Sequence, residues 1–174
     1  MIVETILRNP IVDTGPLFDF LLWRFSDSRN IPSLGSGLRF LRNEFEKKST
    51  RWYLKVAKPV TTCPEVIAEI HRHAEGKLRG GSLGDFWRFA QQELIGLELS
   101  EHLAPVTDMD SQTLSSLGPT DTALLQIAGA APDLSQPVLT EDNHLAGQCR
   151  KKQVKVLRIA DVVSMWQQYG SEQG

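Results

Sequence analysis

Short apolar runs alternate along this chain with longer segments of helical periodicity, and that alternation restricts the fold more than any other feature. Strands separated by helices are joined by crossovers, so they run parallel and the helices cover the faces of the sheet. The expected class is α/β, a three-layer α/β/α sandwich around a mainly parallel sheet, built as a single domain over residues 1–170. A length of 174 residues suffices for one such domain and is short for two. No internal repeat, low-complexity tract or linker divides the chain.

Ile11 and Val12 read as the first strand, with Gly15 and Pro16 ending it and opening a helix over residues 17–25. A second strand is expected over 59–62. Pro64 then starts a helix that runs to about 75, in a first-turn position where the missing proline N–H was unpaired anyway. Further helices are expected over 83–94, 121–130, 143–151 and 159–169, and further strands near 104–107, 137–140 and 154–157. The polar residues 171–174 read as a disordered tail. One piece departs from the alternation. Residues 24–58 carry nine Lys or Arg against three acids and form a basic insert, expected to be helical over 37–56.

Four acids fall where strands end or helices begin: Asp13 in NPIVDTG, Glu69 in PEVIAEI, Asp121 in PTDTALLQIA and Asp142 in PVLTEDNHLA. In a parallel sheet, strand C-termini and helix N-termini share one edge, which is where ligands bind in open α/β folds. Each acid alone has an ordinary explanation. Asp142 is a natural N-cap, Asp121 a first-turn acid favoured by the helix dipole, and Glu69 a solvated helix residue with Glu65 as its competitor. Asp13, directly after a buried strand, is the hardest to explain away. Together they suggest a cluster in which crowding raises the carboxyl pKa values unless a cation neutralises them. Magnesium or manganese suits such an all-oxygen site and would activate water for phosphodiester cleavage, the chemistry of a metal-dependent nuclease.

In these residues the chain resembles the PIN-domain ribonucleases, most closely toxins of VapC type. The matching pieces are IVDTGPLFDFL, CPEVIAEIHR, PTDTALLQIAGA and PVLTEDNHLAGQCRKKQVKVLRIAD, about half of the chain in the family's order. The resemblance implies a PIN-like sandwich, Mg²⁺- or Mn²⁺-dependent RNA cleavage, a homodimer and a small antitoxin partner. It assigns catalysis and metal binding to Asp13, Glu69, Asp121 and Asp142, choosing Glu69 over Glu65, with Thr14 and Thr140 in support. Two departures stand out. His144 occupies a position where some relatives carry a further acid, and the basic insert lengthens the spacing from Asp13 to Glu69. The alternative is a PIN-like RNA- or protein-binding module with little catalysis.

Within the insert, Arg39, Arg42, Lys47 and Lys48 are candidate contacts to an RNA backbone, and Trp52 and Tyr53 candidate stacking partners for bases. The competing explanations are a solvated helix face or an antitoxin interface. A net charge of −2 excludes bulk attraction to nucleic acid but leaves room for such a local patch. Cys63 and Cys149 lie far apart and are expected as free thiols. His71 and His73, two apart, would point to different helix faces, and the histidines form no zinc pattern. Phe86, Trp87 and Phe89 read as core or as a dimer surface. Without a secretory signal or a run of about 20 apolar residues, the expected setting is cytoplasmic, with no membrane contact.

Overall fold

The computed structural model of the protein describes residues 9–78, 80–130 and 136–170. Five short strands form one sheet: β1 (Ile11–Val12), β2 (Thr61–Thr62), β3 (Ser100–Glu101), β4 (Val138–Leu139) and β5 (Val156–Leu157). Their order is β3-β2-β1-β4-β5 and every pairing is parallel. Helices α1 (Thr14–Arg29), α2 (Pro32–Gly35) and α3 (Glu44–Val56) connect β1 to β2, while α4 (Pro64–Lys77) and α5 (Ser82–Gly96) connect β2 to β3. The return to β4 uses α6 (Ser111–Leu117) and α7 (Pro119–Ala130). Helix α8 (Asn143–Lys151) precedes β5, and α9 (Ile159–Tyr169) follows it. Helices flank the sheet in the expected α/β/α arrangement, with strands that are all parallel among the described residues.

The strand order fixes where a site can form. From β1 the chain moves outward through β2 to β3, then returns to the far side of β1 for β4 and β5. The direction reverses between β1 and β4, so the carboxyl ends of those two strands flank the crevice used by ligands in open parallel sheets. Ile11 pairs with both Thr61 and Val138, and Asp13 N–H donates to the Leu139 carbonyl at 3.1 Å, so β1 and β4 end together. Ile11, Val12, Val138 and Leu139 are fully buried, as strands covered on both faces must be. Helix α1 is buried along most of its length, through Leu17, Phe20, Leu21, Leu22 and Phe25, and contacts α2, α3, α4 and α5. Burial of that helix, rather than helical propensity, accounts for its stability, since apolar area removed from water contributes about 25 cal/mol per Å².

Three of the differences between expected and observed boundaries have a clear physical reason. Helix α1 begins at Thr14, not at residue 17, because the Asp13 side chain caps it and Pro16 fits inside the first turn. The strand expected near 104–107 lies instead at Ser100–Glu101, where Ser100 and His102 donate to Val60 and Thr62 carbonyls at 2.8 and 2.9 Å. Pro105 lacks the N–H that a ladder needs, and it leads into a 3₁₀ turn at Val106–Asp108. The helix expected from residue 37 starts at Glu44, where Asn43 and Glu46 form a reciprocal capping box. Residues 171–174, expected to be a disordered tail, lie outside the described residues. Helices α8 and α9 have the expected limits.

One hydrophobic cluster extends from Ile11 to Val162 and includes the fully buried Phe86, with Trp87 and Phe89 packed against it. Both cysteines are buried free thiols. Among the described residues no helix is long and apolar enough to cross a membrane.

The capping box separates a non-helical stretch of the insert from its helix, so its loss should be measurable. Asn43→Ala is expected to lower stability by about 1 kcal/mol in urea unfolding, and Asn43→Gly by only a few tenths, because glycine tolerates the same backbone. Equal costs for the two variants would show that the cap does not act as described.

Candidate functional site

The four acids singled out in the sequence come from four different elements and line one pocket of about 880 Å³ at the carboxyl edge of the sheet. Asp13 immediately follows β1. One of its oxygens accepts from Thr14 N–H at 2.6 Å, capping α1, and the other accepts from the Thr140 hydroxyl at 2.6 Å. Thr140 is the first residue beyond β4. A single carboxylate, only 8% exposed, therefore joins a helix start to the neighbouring strand across the crevice. Asp142 caps α8 by accepting from Leu145 N–H at 2.9 Å, and its own N–H donates to the Thr140 hydroxyl at 3.0 Å. Thr140 thus connects the two aspartates.

Glu69 projects from α4 and is held by two hydroxyls. Thr14 donates to one carboxylate oxygen at 2.8 Å and Thr120 to the other at 2.6 Å, while the Arg72 guanidinium lies 3.7 Å away. Asp121 differs from the rest. It stands in the first turn of α7, half-buried, and has no hydrogen-bond or ion-pair partner among the described residues. Glu65, the competitor of Glu69, lies one turn earlier on α4 beside the Cys63 thiol and does not line the pocket.

Crowding and burial show in the acid–base balance. Burial pushes the Asp13 carboxyl upward, against the hydrogen bonds from Thr140 and Thr14, and the charges of Glu69 and Asp142 push the same way. Asp121 is pushed up to about 7, first by burial and then by Asp13, Asp142 and Glu69, with no group opposing. The same field reaches beneath the pocket: burial and then Asp121 and Asp13 push the Cys149 thiol up to about 11. Burial likewise pushes the Cys63 thiol up to about 12, which disfavours the reactive thiolate in both cysteines.

Among the described residues no group of three or more His, Cys, Asp or Glu side chains is placed to hold a metal ion. The donor set nevertheless fits a hard divalent cation. The acids offer oxygen alone, and Asp121 is a part-buried carboxyl with three acidic neighbours and, among the described residues, no group that lowers its pKa.

Thr14 and Thr140 each donate a hydroxyl to a carboxylate of the pocket, Glu69 and Asp13 respectively. Thr120 does so too, although in the sequence it reads only as a residue opening a helix. Its hydroxyl–carboxylate contact spans 51 positions and leaves no local pattern. Of the four basic residues expected to meet RNA, Arg39 lines the pocket. Arg42, Lys47 and Lys48 do not: Arg42 donates to the Arg39 carbonyl at 3.0 Å, Lys47 pairs with Glu44 at 2.9 Å, and Lys48 is exposed on α3. Tyr53 is completely buried, which corrects the expectation that it stacks bases, and Trp52 is half-buried against the core. His144 lines the pocket near Asp142, and His73 joins it from α4 with its ring 5.4 Å from Phe18. His71 turns away to stack on Trp87, whose indole N–H donates to it at 3.0 Å.

Comparison of the chain with protein-family models, with curated proteins and with solved structures finds no match to any of them.

The unpartnered Asp121 makes stability depend on pH in a defined sense. The folded protein holds this proton up to about pH 7, whereas the unfolded chain releases it near its ordinary value of 3.8. The stabilising contribution is complete below about pH 4 and is lost as pH rises through 7. In metal-free protein, Asp121→Asn should raise the melting temperature at pH 8, by about 2–4 °C for each kcal/mol recovered in a chain of this size, and should flatten the slope between pH 5 and 8. A variant that melts like the parent at both pH values would remove the electrostatic account.

Proposed function

We propose that this protein is a PIN-type ribonuclease that hydrolyses RNA phosphodiester bonds with the help of magnesium or manganese. The observation that carries the reading is the convergence of four carboxylates from four elements on one pocket at the switch point. One of them, Asp121, is raised to about 7 by burial and by the other three. The motif resemblance to VapC-type toxins names the same four residues from the sequence.

Asp13, Glu69, Asp121 and Asp142 would hold the ion. Magnesium or manganese, when bound, supplies Lewis acidity that activates water and offsets the charge building on the phosphate. The chain's own residues provide the rest. Thr14 and Thr120 fix both oxygens of Glu69, and Thr140 fixes Asp13, so that these two carboxylates meet their ligand without first losing rotamer freedom. Asp121 carries its proton near neutrality in the metal-free state and must release it when a cation binds, which makes binding pH-dependent. Arg39 and Lys77 contribute positive charge at the pocket wall, favourable for a polyanion approaching an acidic centre. No side-chain nucleophile is required. A small antitoxin protein that covers the site, and pairing of two copies of the chain, extend the same proposal to its setting.

Purified protein is expected to cleave a mixed RNA pool with Mg²⁺ or Mn²⁺ and not with EDTA. Asp13→Asn and Asp142→Asn should each reduce the rate on the order of 10²- to 10³-fold, as expected when one electrostatic contact at a reacting centre is removed. Absence of cleavage with both metals, alongside retained RNA binding, would replace the enzyme with a binding module. Thr120→Val should weaken Mn²⁺ binding by calorimetry roughly 10- to 100-fold, the usual cost of losing a residue that orients a ligand, and Thr120→Ser should restore it. Unchanged affinity in the valine variant would remove Thr120 from the site.

A further inference from the structure

The pocket has a wall that the acidic residues do not account for. Residues 37–41 cross it as a stretch of the basic insert outside any helix or strand, fastened at several points. Leu38 and Leu41 are buried in the core, and the carboxylate of Asp19, itself only 3% exposed, accepts the backbone N–H groups of Phe40 and Leu41 at 2.5 and 3.1 Å. At the start of the stretch, Lys77 on α4 donates to the Gly37 carbonyl at 2.8 Å. Two side chains of this frame face the pocket, Arg39 and Phe40.

Phe40 is placed as a platform rather than as packing. Its ring belongs neither to the hydrophobic cluster nor to the shell packed against it. The ring lies over Gly15, two residues from Asp13, so closely that a Cβ on Gly15 would fall 2.4 Å from the ring edge. The Arg39 guanidinium sits 5.1 Å from the ring centroid. An aromatic face partnered by a cation, beside carboxylates suited to a phosphodiester reaction, matches a nucleobase and its adjoining phosphate.

We propose that Phe40 and Arg39 form a subsite that stacks the base next to the bond being cut. The inference rests on the ribonuclease reading. A base held within a duplex has both faces covered by its neighbours and cannot lie on Phe40 without being extruded. Arg39 remains free to follow the phosphate, so binding should be salt-dependent and tolerant of base identity.

The test uses short single-stranded RNAs that carry 2-aminopurine at one position at a time, since its fluorescence is quenched on stacking. Binding is measured in EDTA and cleavage of the same RNAs in Mn²⁺. Wild-type protein should quench the probe at a position flanking the cleaved bond. Phe40→Leu should lose that quenching and raise KM on the order of 10- to 100-fold, with a smaller change in kcat, and Phe40→Tyr should retain both. Arg39→Ala alters an exposed side chain and leaves the buried frame in place; it should weaken binding and reduce its salt dependence. A duplex of the same sequence should compete poorly. Equal quenching and KM in wild type and Phe40→Leu, with cleavage intact, would overturn the subsite and leave the ribonuclease standing. Quenching by a wild-type protein that never cleaves would retain the subsite and remove the enzyme. No quenching at any position by wild type would overturn the subsite outright.

Discussion

Asp13 is the point on which the rest of the molecule depends. Its two oxygens do different work: one caps the buried central helix, and the other takes a hydroxyl from the strand on the opposite side of the crevice. Helix α1, β1 and β4 are thereby tied together where the sheet reverses direction. That junction is also where Glu69, Asp121 and Asp142 crowd inward, so the group that stabilises the fold locally is a source of repulsion for its neighbours. Neutralising repulsion by replacing acids would relax the edge of the sheet, whereas neutralising it with a cation keeps both the cap and the charge. Stability and chemistry here pull in opposite directions, as they commonly do at preorganised polar sites.

The three threonines show how the conflict is contained. Thr14, Thr120 and Thr140 come from separate segments, yet each directs its hydroxyl proton to a site carboxylate. Hydroxyls stabilise an anion without adding counter-charge, so they orient Asp13 and Glu69 while leaving their charge for another partner. Asp121 receives no such support, and burial and its acidic neighbours push it up to about 7.

Much of this was legible in the sequence, for identifiable reasons. Alternating apolar and helical segments gave the layered class, and capping acids after strands marked the edge at which Asp13, Asp121 and Asp142 meet. Glu69 was accessible only through the motif resemblance, because its local context does not separate it from Glu65. The insert was read least well. Its charge suggested one continuous basic helix, but Asn43 and Glu46 start the helix later, and the preceding stretch is held outside a helix by Asp19, 21 and 22 positions away. Tyr53 looked like an exposed aromatic of a basic helix and is instead completely buried. Helix α3 packs on α9 at the far end of the chain, a contact that no local pattern announces.

The way residues 37–41 are held has a consequence for how such a protein can change over time. Their fastening uses the backbone: Asp19 takes two main-chain N–H groups, Lys77 a main-chain carbonyl, and the two leucines point away from the pocket. The outward side chains at 39 and 40 are therefore not part of what keeps the stretch in place. Descendants could exchange them, and alter what the pocket prefers to hold, without disturbing the acids that lie at its base. Preference and chemistry are carried by separately replaceable pieces of the chain, linked only where Gly15 makes room for the ring above it.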